Sequence, residues 1–79
     1  MPVVLFIYGF KFKFYSNEND EPPHIHVLKG GGNTKYWLMP EPDEAYSYGY
    51  TVRERRQIKE LVLKNHTLLI SKWNEFFGR

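Results

Sequence analysis

Seventy-nine residues suffice for one domain, and the absence of cysteine excludes a disulfide framework and a cysteine-rich zinc site. Six Phe, six Tyr and two Trp compensate for the small size of the core, because each can bury a large apolar area. The net charge of +2 is unevenly spread: residues 1–50 carry four Lys against six Asp and Glu, and residues 51–79 carry seven Lys and Arg against three Glu. A basic C-terminal third fits an anionic partner and equally fits an ordinary solvated helix face.

The apolar start of the chain, residues 3–8, predicts a central strand, because apolar side chains fall on both of its sides. It is too short for a membrane span and lacks the basic leader and cleavage site of a signal peptide, which favours a cytoplasmic protein away from membranes. Gly9 predicts a tight turn into a second strand over residues 10–15. This strand alternates core-facing Phe10, Phe12 and Phe14 with Lys11, Lys13 and Tyr15.

Most of the functional interpretation depends on the sequence Pro-Pro-His-Ile-His-Val at residues 22–27. The prolines favour extended backbone, and successive side chains of a strand point to opposite faces. We therefore expect Ile25 and Val27 to enter the core, and His24 and His26 to be presented to solvent together. This third strand extends to about residue 29, a glycine-rich hairpin turn follows at residues 30–33, and residues 34–39 form a fourth strand.

Two prolines within residues 40–44 are expected to end this fourth strand, and the tyrosine-rich residues 45–50 fit either a short edge strand or an ordered loop. Residues 51–77 predict a single helix that begins with Thr51 and Glu54 at capping-box spacing and stops near Gly78. Its apolar stripe consists of Val52, Ile58, Leu61, Val62, Asn65, Leu68, Leu69, Trp73 and Phe76.

Together these elements predict one α+β domain, residues 1–79, with the element order β-β-β-β-α. Residues 1–50 supply a four-stranded antiparallel sheet, and the long C-terminal helix, residues 51–77, packs on one face of it. One helix covers one face only, so the opposite face is expected to be open, although a register slip of one residue would reverse the side chains of a strand. The open face would display Lys11, Lys13, Tyr15, His24 and His26.

The first two candidate functions involve nucleic acid. Lysines neutralise phosphates and tyrosines stack on bases, and the candidate residues for binding RNA or a protein partner are Tyr15, Lys29, Lys35, Arg55 and Arg56. Metal-independent RNA cleavage would use His24 and His26 as general base and general acid, since imidazole titrates near neutral pH. Lys11, Lys13 or Arg53 would then stabilise the charge of the phosphorane.

Two further functions need no nucleic acid. His24 and His26 could bind zinc or a similar ion, but such a site needs a third ligand, and the candidates His66, Asp20 and Glu21 have no diagnostic spacing. No metal or other cofactor is therefore favoured. Alternatively, the open face or the terminal aromatic residues, Trp73, Phe76 and Phe77, could bind another protein, although helical spacing also fits core packing.

Four segments resemble those of a family of small prokaryotic proteins, domain-of-unknown-function family 4160: residues 9–17, residues 22–27, Lys-Tyr-Trp-Leu at residues 35–38 and Trp-Asn-Glu-Phe-Phe at residues 73–77. The most specific of these is Pro-Pro-His-x-His-Val. The resemblance covers nearly the whole chain and implies no catalytic residue. It implies one half of a two-gene cassette, an arrangement like that of toxin–antitoxin pairs, and hence a cognate small protein partner in a prokaryotic cytoplasm.

The sequence-based hypothesis is therefore a component of a toxin–antitoxin-like pair, with His24 and His26 at its working face and RNA cleavage by the toxin as one activity. The alternatives are a non-catalytic module that binds its cognate partner, a homodimer among the possible assemblies, and a small histidine-based metal-binding protein.

Overall fold

The computed structural model describes residues 3–15 and 20–78. These residues form an α+β fold in which one antiparallel sheet, in the order β1-β2-β3-β4-β5, is followed by two helices. The fold class is as predicted, but there are five strands instead of four and two helices instead of one. The elements are β1 (Val3–Ile7), β2 (Phe10–Lys13), β3 (His24–Lys29), β4 (Gly32–Trp37), β5 (Asp43–Tyr48), α1 (Val52–Lys64) and α2 (His66–Phe77).

The first strand lies at the edge of the sheet and not at its centre, so its predicted position was wrong. β1 pairs with β2 alone, through a two-residue turn in which Tyr8 and Gly9 both adopt positive φ, 53° and 83°. This turn matches the right-handed twist of the strands, and it places β1 outside β2. The sequence pattern of a buried central strand is thus found on an edge, where Val3 and Phe6 are exposed.

The fifth strand settles the ambiguity over residues 45–50. β4 ends at Trp37, before the two prolines, as predicted, and β5 begins at Asp43, immediately after Pro42. The pairing of β4 with β5 shifts register between Lys35 and Tyr36. Such an irregularity is tolerated at an edge strand, which has a neighbour on one side only.

The predicted single helix is broken at Asn65. The Nδ2 amide of Asn65 donates to the Leu61 carbonyl at 2.8 Å, and the backbone N–H of Asn65 donates to the same carbonyl at 3.0 Å. His66 then donates from Nε2 to the Leu38 carbonyl at 2.6 Å, which ties the break to the end of the fourth strand. The Asn65 side chain thus competes with the backbone for a helix carbonyl, and the His66 hydrogen bond fixes the direction of the chain after the break. Together they end α1 at a point where the spacing of apolar residues predicted that the helix would continue.

The start of α1 agrees with the prediction. The Thr51 hydroxyl accepts from the Glu54 N–H at 3.1 Å, and the Glu54 carboxylate accepts from the Thr51 N–H at 2.9 Å, which completes a capping box. Gly78 ends α2 in the left-handed conformation, as predicted. Neither helix in the described part of the chain is long and apolar enough to cross a membrane.

Both helices contribute to the core on one face of the sheet. The buried sheet residues include the three phenylalanines, Ile25 and Val27, as predicted. Three members of the predicted helix stripe are exposed instead. Val52 lies at the exposed first position of α1, and Leu68 and Phe76 are exposed because α2 turns the line through Leu69 and Trp73 toward the sheet. The helix residues that are buried are Ile58, Leu61, Val62, Leu69 and Trp73.

Tyr50 closes the space under the glycine hairpin. Its hydroxyl donates to the Val27 carbonyl at 3.0 Å, its ring meets that of Phe10 at 5.9 Å, and a Cβ on Gly32 would come within 2.5 Å of the ring. Gly32 is therefore required by the close approach of an aromatic ring.

We expect Gly32→Ala to lower the free energy of unfolding by about 1–3 kcal/mol, because the Tyr50 ring must move and weaken its hydrogen bond to β3. Chemical denaturation followed by tryptophan fluorescence measures this change. The matched control is Gly31→Ala, where nothing lies within 4 Å of the added Cβ. Equal effects of the two substitutions would contradict this explanation.

Candidate functional site

Cross-strand pairing assigns each strand residue to one of two faces. His26 lies between Lys13 on β2 and Lys35 on β4, and Lys35 in turn faces Tyr46 on β5. Val27 lies between Phe12 and Thr34, on the side covered by the helices. The predicted division of β3 is therefore confirmed: Ile25 and Val27 face the helices, and the histidines point the other way.

We call this second side the uncovered face, because the helices of the described chain pack mainly on the opposite side; the exception is the His24 end, where the ring of Trp73 from α2 contacts the His24 ring. One row of paired residues crosses all five strands, and a second row lies next to it. The first row is Phe6, Lys11, Leu28, Asn33 and Tyr48. The second is Val3, Lys13, His26, Lys35 and Tyr46.

The predicted exposure of the histidines was wrong. The two rings lie together, with centroids 5.3 Å apart, but His24 is 1% exposed and His26 is 4% exposed. Aromatic side chains enclose them: Tyr15 meets the His26 ring at 4.6 Å, and Trp37 and Trp73 meet the His24 ring at 5.5 and 5.1 Å. Tyr15, Trp37 and Trp73 thus bury the two histidines. The alternation of side chains along the strand had predicted that both histidines would be exposed to solvent.

The prolines before the histidines contribute their carbonyl groups. Because a carbonyl only accepts, His24 donates from Nδ1 to the Pro22 oxygen at 2.9 Å. The Pro23 oxygen accepts from the Leu38 N–H at 2.9 Å, which attaches this segment to the chain after β4. Pro-Pro-His-x-His-Val is therefore a structural motif here, one that locks an imidazole and joins β3 to its neighbour.

Polar groups border the buried imidazoles. Lys35 is held by Glu21 at 2.7 Å, with its ammonium also 4.3 Å from the centroid of the Trp37 ring. The ammonium of Lys13 lies 4.9 Å from the centroid of the Tyr15 ring, and the Glu21 carboxylate lies 3.9 Å from His24 Nδ1. We call this set the histidine cluster: Lys13, Tyr15, Glu21, His24, His26, Lys35, Trp37 and Trp73.

The structure brings together only some of the predicted site residues. His24, His26, Lys13, Tyr15 and Lys35 meet in the histidine cluster, and the exposed Lys11 is on the uncovered face, in the row next to His26. The others lie elsewhere. The ammonium of Lys29 lies 4.8 Å from the centroid of the Phe10 ring. Arg53 is exposed on α1, on the opposite side of the sheet, and Arg55 and Arg56 line a separate cleft.

The metal hypothesis finds no site in the described chain. Among residues 3–15 and 20–78, no three His, Asp or Glu side chains are grouped as a metal ion would need. Of the suggested third ligands, Glu21 binds Lys35 and His66 binds the Leu38 carbonyl.

The cleft at Arg55 was not anticipated from the sequence. It has a volume of about 420 Å³, and Tyr36, Pro42, Val52 and Lys59 line it together with the Glu44–Arg55 ion pair, in which the closest atoms are 2.6 Å apart. Burial and the nearby Glu44 carboxylate raise the pKa of Tyr36 to about 12. The cleft lies between α1 and the end of the sheet where β4 meets β5, so no local pattern could have revealed it.

A protein-family model matches residues 9–74, and its description is "Domain of unknown function (DUF4160)". No curated protein and no solved structure matches the chain. The match includes β2–β5 and most of both helices, and with them the histidine cluster.

We expect His24→Ala to lower the free energy of unfolding by about 2–4 kcal/mol, because it empties a buried ring site and removes the hydrogen bond to Pro22. Urea denaturation followed by circular dichroism measures the loss. Lys11→Ala, an exposed change on the same sheet face, is the control and should stay within about 0.5 kcal/mol of the wild type. Wild-type stability of the His24 variant would show that the ring has no structural role.

Tyr36 should make stability depend on pH in the alkaline range. Its pKa rises from 10.0 to about 12 on folding, so above pH 10 the unfolded chain releases the phenol proton while the folded chain retains it. The stabilising contribution is complete below pH 10 and declines as pH rises toward 12. The stability difference between wild type and Tyr36→Phe should shift in favour of the variant over this range, and a constant difference would contradict the pKa assignment.

Proposed function

Since the chain belongs to the DUF4160 family, whose function is unknown, we propose from its geometry that it is a non-catalytic binding module that docks a small protein partner on its uncovered face. The observation that carries the proposal is a pair of exposed tyrosines at the β5 end of this face. Tyr48 is 59% exposed and Tyr46 is 42% exposed, on a surface that the helices leave open.

The composition of this surface resembles that of protein interfaces. Aromatic residues are enriched at the centres of such interfaces, where they bury a large area with few rotatable bonds. The rings of Tyr46 and Tyr48 stack at 6.1 Å with an angle of 17° between their planes, and the hydroxyl of Tyr48 accepts from Asn33 at 3.4 Å. These two side chains support one another and form a ready contact surface.

The charges favour protein over RNA as the ligand. Binding to nucleic acid takes much of its strength from cations that neutralise several phosphates. Of the three lysines on the uncovered face, Lys35 is already paired with Glu21 and Lys13 stacks on Tyr15, while Lys11 is exposed. An electrostatically modest aromatic surface suits a protein partner better.

Burial of the imidazoles argues against RNA cleavage by His24 and His26. A general base or acid must come within hydrogen-bond reach of the group that it serves, about 2.6–3.2 Å between heavy atoms. Rings enclosed by Tyr15, Trp37 and Trp73 do not offer that reach to a polynucleotide. In the proposed function these histidines hold the sheet in shape.

The biological setting that we propose is a toxin–antitoxin-like pair in the cytoplasm, with the partner encoded by the adjacent gene. The resemblance of the chain to proteins from such two-gene cassettes supports this setting, and the uncovered face supplies a surface for the partner. The role proposed for this chain is recognition of the partner, and no catalytic step is assigned to it.

The test is co-expression with the product of the adjacent gene, followed by calorimetry on the purified proteins. We expect Tyr48→Ala to weaken binding at least about tenfold, as truncation of an interface aromatic commonly does. Lys64→Ala, an exposed change on α1, should leave affinity unchanged.

Two outcomes would overturn the proposal. One is partner binding that Tyr46→Ala and Tyr48→Ala leave intact. The other is tight binding of a single-stranded RNA oligonucleotide that is lost with the same variants, which would identify the face as a nucleic-acid site.

A further inference from the structure

The edge strand β1 has the composition of a strand with neighbours on both sides. Its sequence, Val-Val-Leu-Phe-Ile, has no charged residue, whereas the other edge strand, β5, begins with Asp43 and Glu44. Edge strands are ordinarily protected by charge, proline or a covering element, because their free backbone groups invite another strand. We propose that β1 pairs antiparallel with β1 of a second copy of this chain, across a two-fold axis, so that one sheet runs through both copies.

The hairpin geometry defines the register of this pairing. Ile7 faces Phe10 across the two-residue turn, so its backbone groups bond within the hairpin, and alternation along an antiparallel pair turns those of Phe6 outward. A two-fold axis at Phe6 then sets Phe6 opposite Phe6 of the second copy and Leu5 opposite Ile7. Every cross-strand pair in this register is apolar, which favours association.

The register also covers surface that a single copy leaves exposed. Phe6 stands 62% exposed on the uncovered face, and Leu5 and Ile7 are only half-buried against the core on the other side. The shift in register between Val3 and Leu5 ends the regular run, so the interface is centred on residues 5–7.

Other ways of joining two sheet edges are less favourable. β5 carries Asp43 and Glu44, and charged side chains of this kind protect an edge strand from pairing with another strand. Pairing β1 with β5 would be head-to-tail and would leave free edges for continued growth, whereas β1 with β1 closes as a dimer. The neutral strand, the apolar cross-strand pairs and the closed symmetry together select a second copy as the occupant.

The interface lies at the sheet edge and is distinct from the partner-binding tyrosines, so the dimer and the proposed function can fail separately. Sedimentation equilibrium of the purified full chain, with no partner present, should show a species of twice the 9.5 kDa chain mass. Phe6→Lys places like charges opposite one another, and Phe6→Pro removes an outward N–H while sparing the bonds to β2. Each should raise the dimer dissociation constant at least about tenfold.

The control is Leu63→Lys, which makes the same kind of change at a side chain of α1 that is 52% exposed, and it should remain dimeric. Amide exchange of the wild type gives a readout that needs no variant: protection at Phe6 should increase with protein concentration. A monomer at all concentrations, a dimer indifferent to both Phe6 variants, or concentration-independent exchange at Phe6 would overturn the proposal. If the Phe6 variants do not fold, as judged by circular dichroism, the exchange measurement decides.

Discussion

The burial of β3 on both of its faces is the constraint on which the rest of the structure depends. On one side, Ile25 and Val27 lie under the two helices, in the main core. On the other, His24 and His26 lie under aromatic rings from Tyr15, which follows β2, from β4 and from α2. A strand enclosed in this way needs a paired strand on each edge, which β2 and β4 provide. It also needs side chains packed on each face, which the helices and the aromatic rings provide.

The aromatic rings that cover His24 and His26 give these histidines a structural role, although the same residue types also occur in catalytic sites. Imidazole is polar enough to need a hydrogen-bond partner when buried and flat enough to pack against aromatic rings. The Pro22 carbonyl supplies a partner for His24, and Trp37 and Trp73 supply packing surfaces. In a chain of 79 residues the main core is small, and the histidine cluster adds a second packed layer to it. This structural role explains why two histidines lie together at a site that is closed to solvent.

Because the imidazoles are enclosed, the functions that we propose use the surfaces that the helices leave open. The uncovered face presents Phe6, Tyr46 and Tyr48, and the β1 edge presents apolar side chains beside free backbone groups. The β1 edge lacks the charge that usually protects an edge strand, and the uncovered face combines exposed aromatic rings with lysines. The two proposals together describe a small scaffold that self-associates at the β1 edge and binds a partner on the uncovered face.

Local patterns in the sequence were enough to predict the antiparallel strands before residue 40, the capping box at Thr51 and the opposite orientations of the aliphatic and histidine side chains of β3. Each of these depends on neighbours within a few residues, so alternation, turn chemistry and spacing determine it. Only the tertiary structure decided that β1 is an edge, that β5 joins the sheet, that the helix breaks at Asn65 and that the histidines are enclosed. Those outcomes depend on contacts between distant segments, such as His66 with Leu38 and His24 with Trp73, which compete with local preference and have no signature in either segment alone.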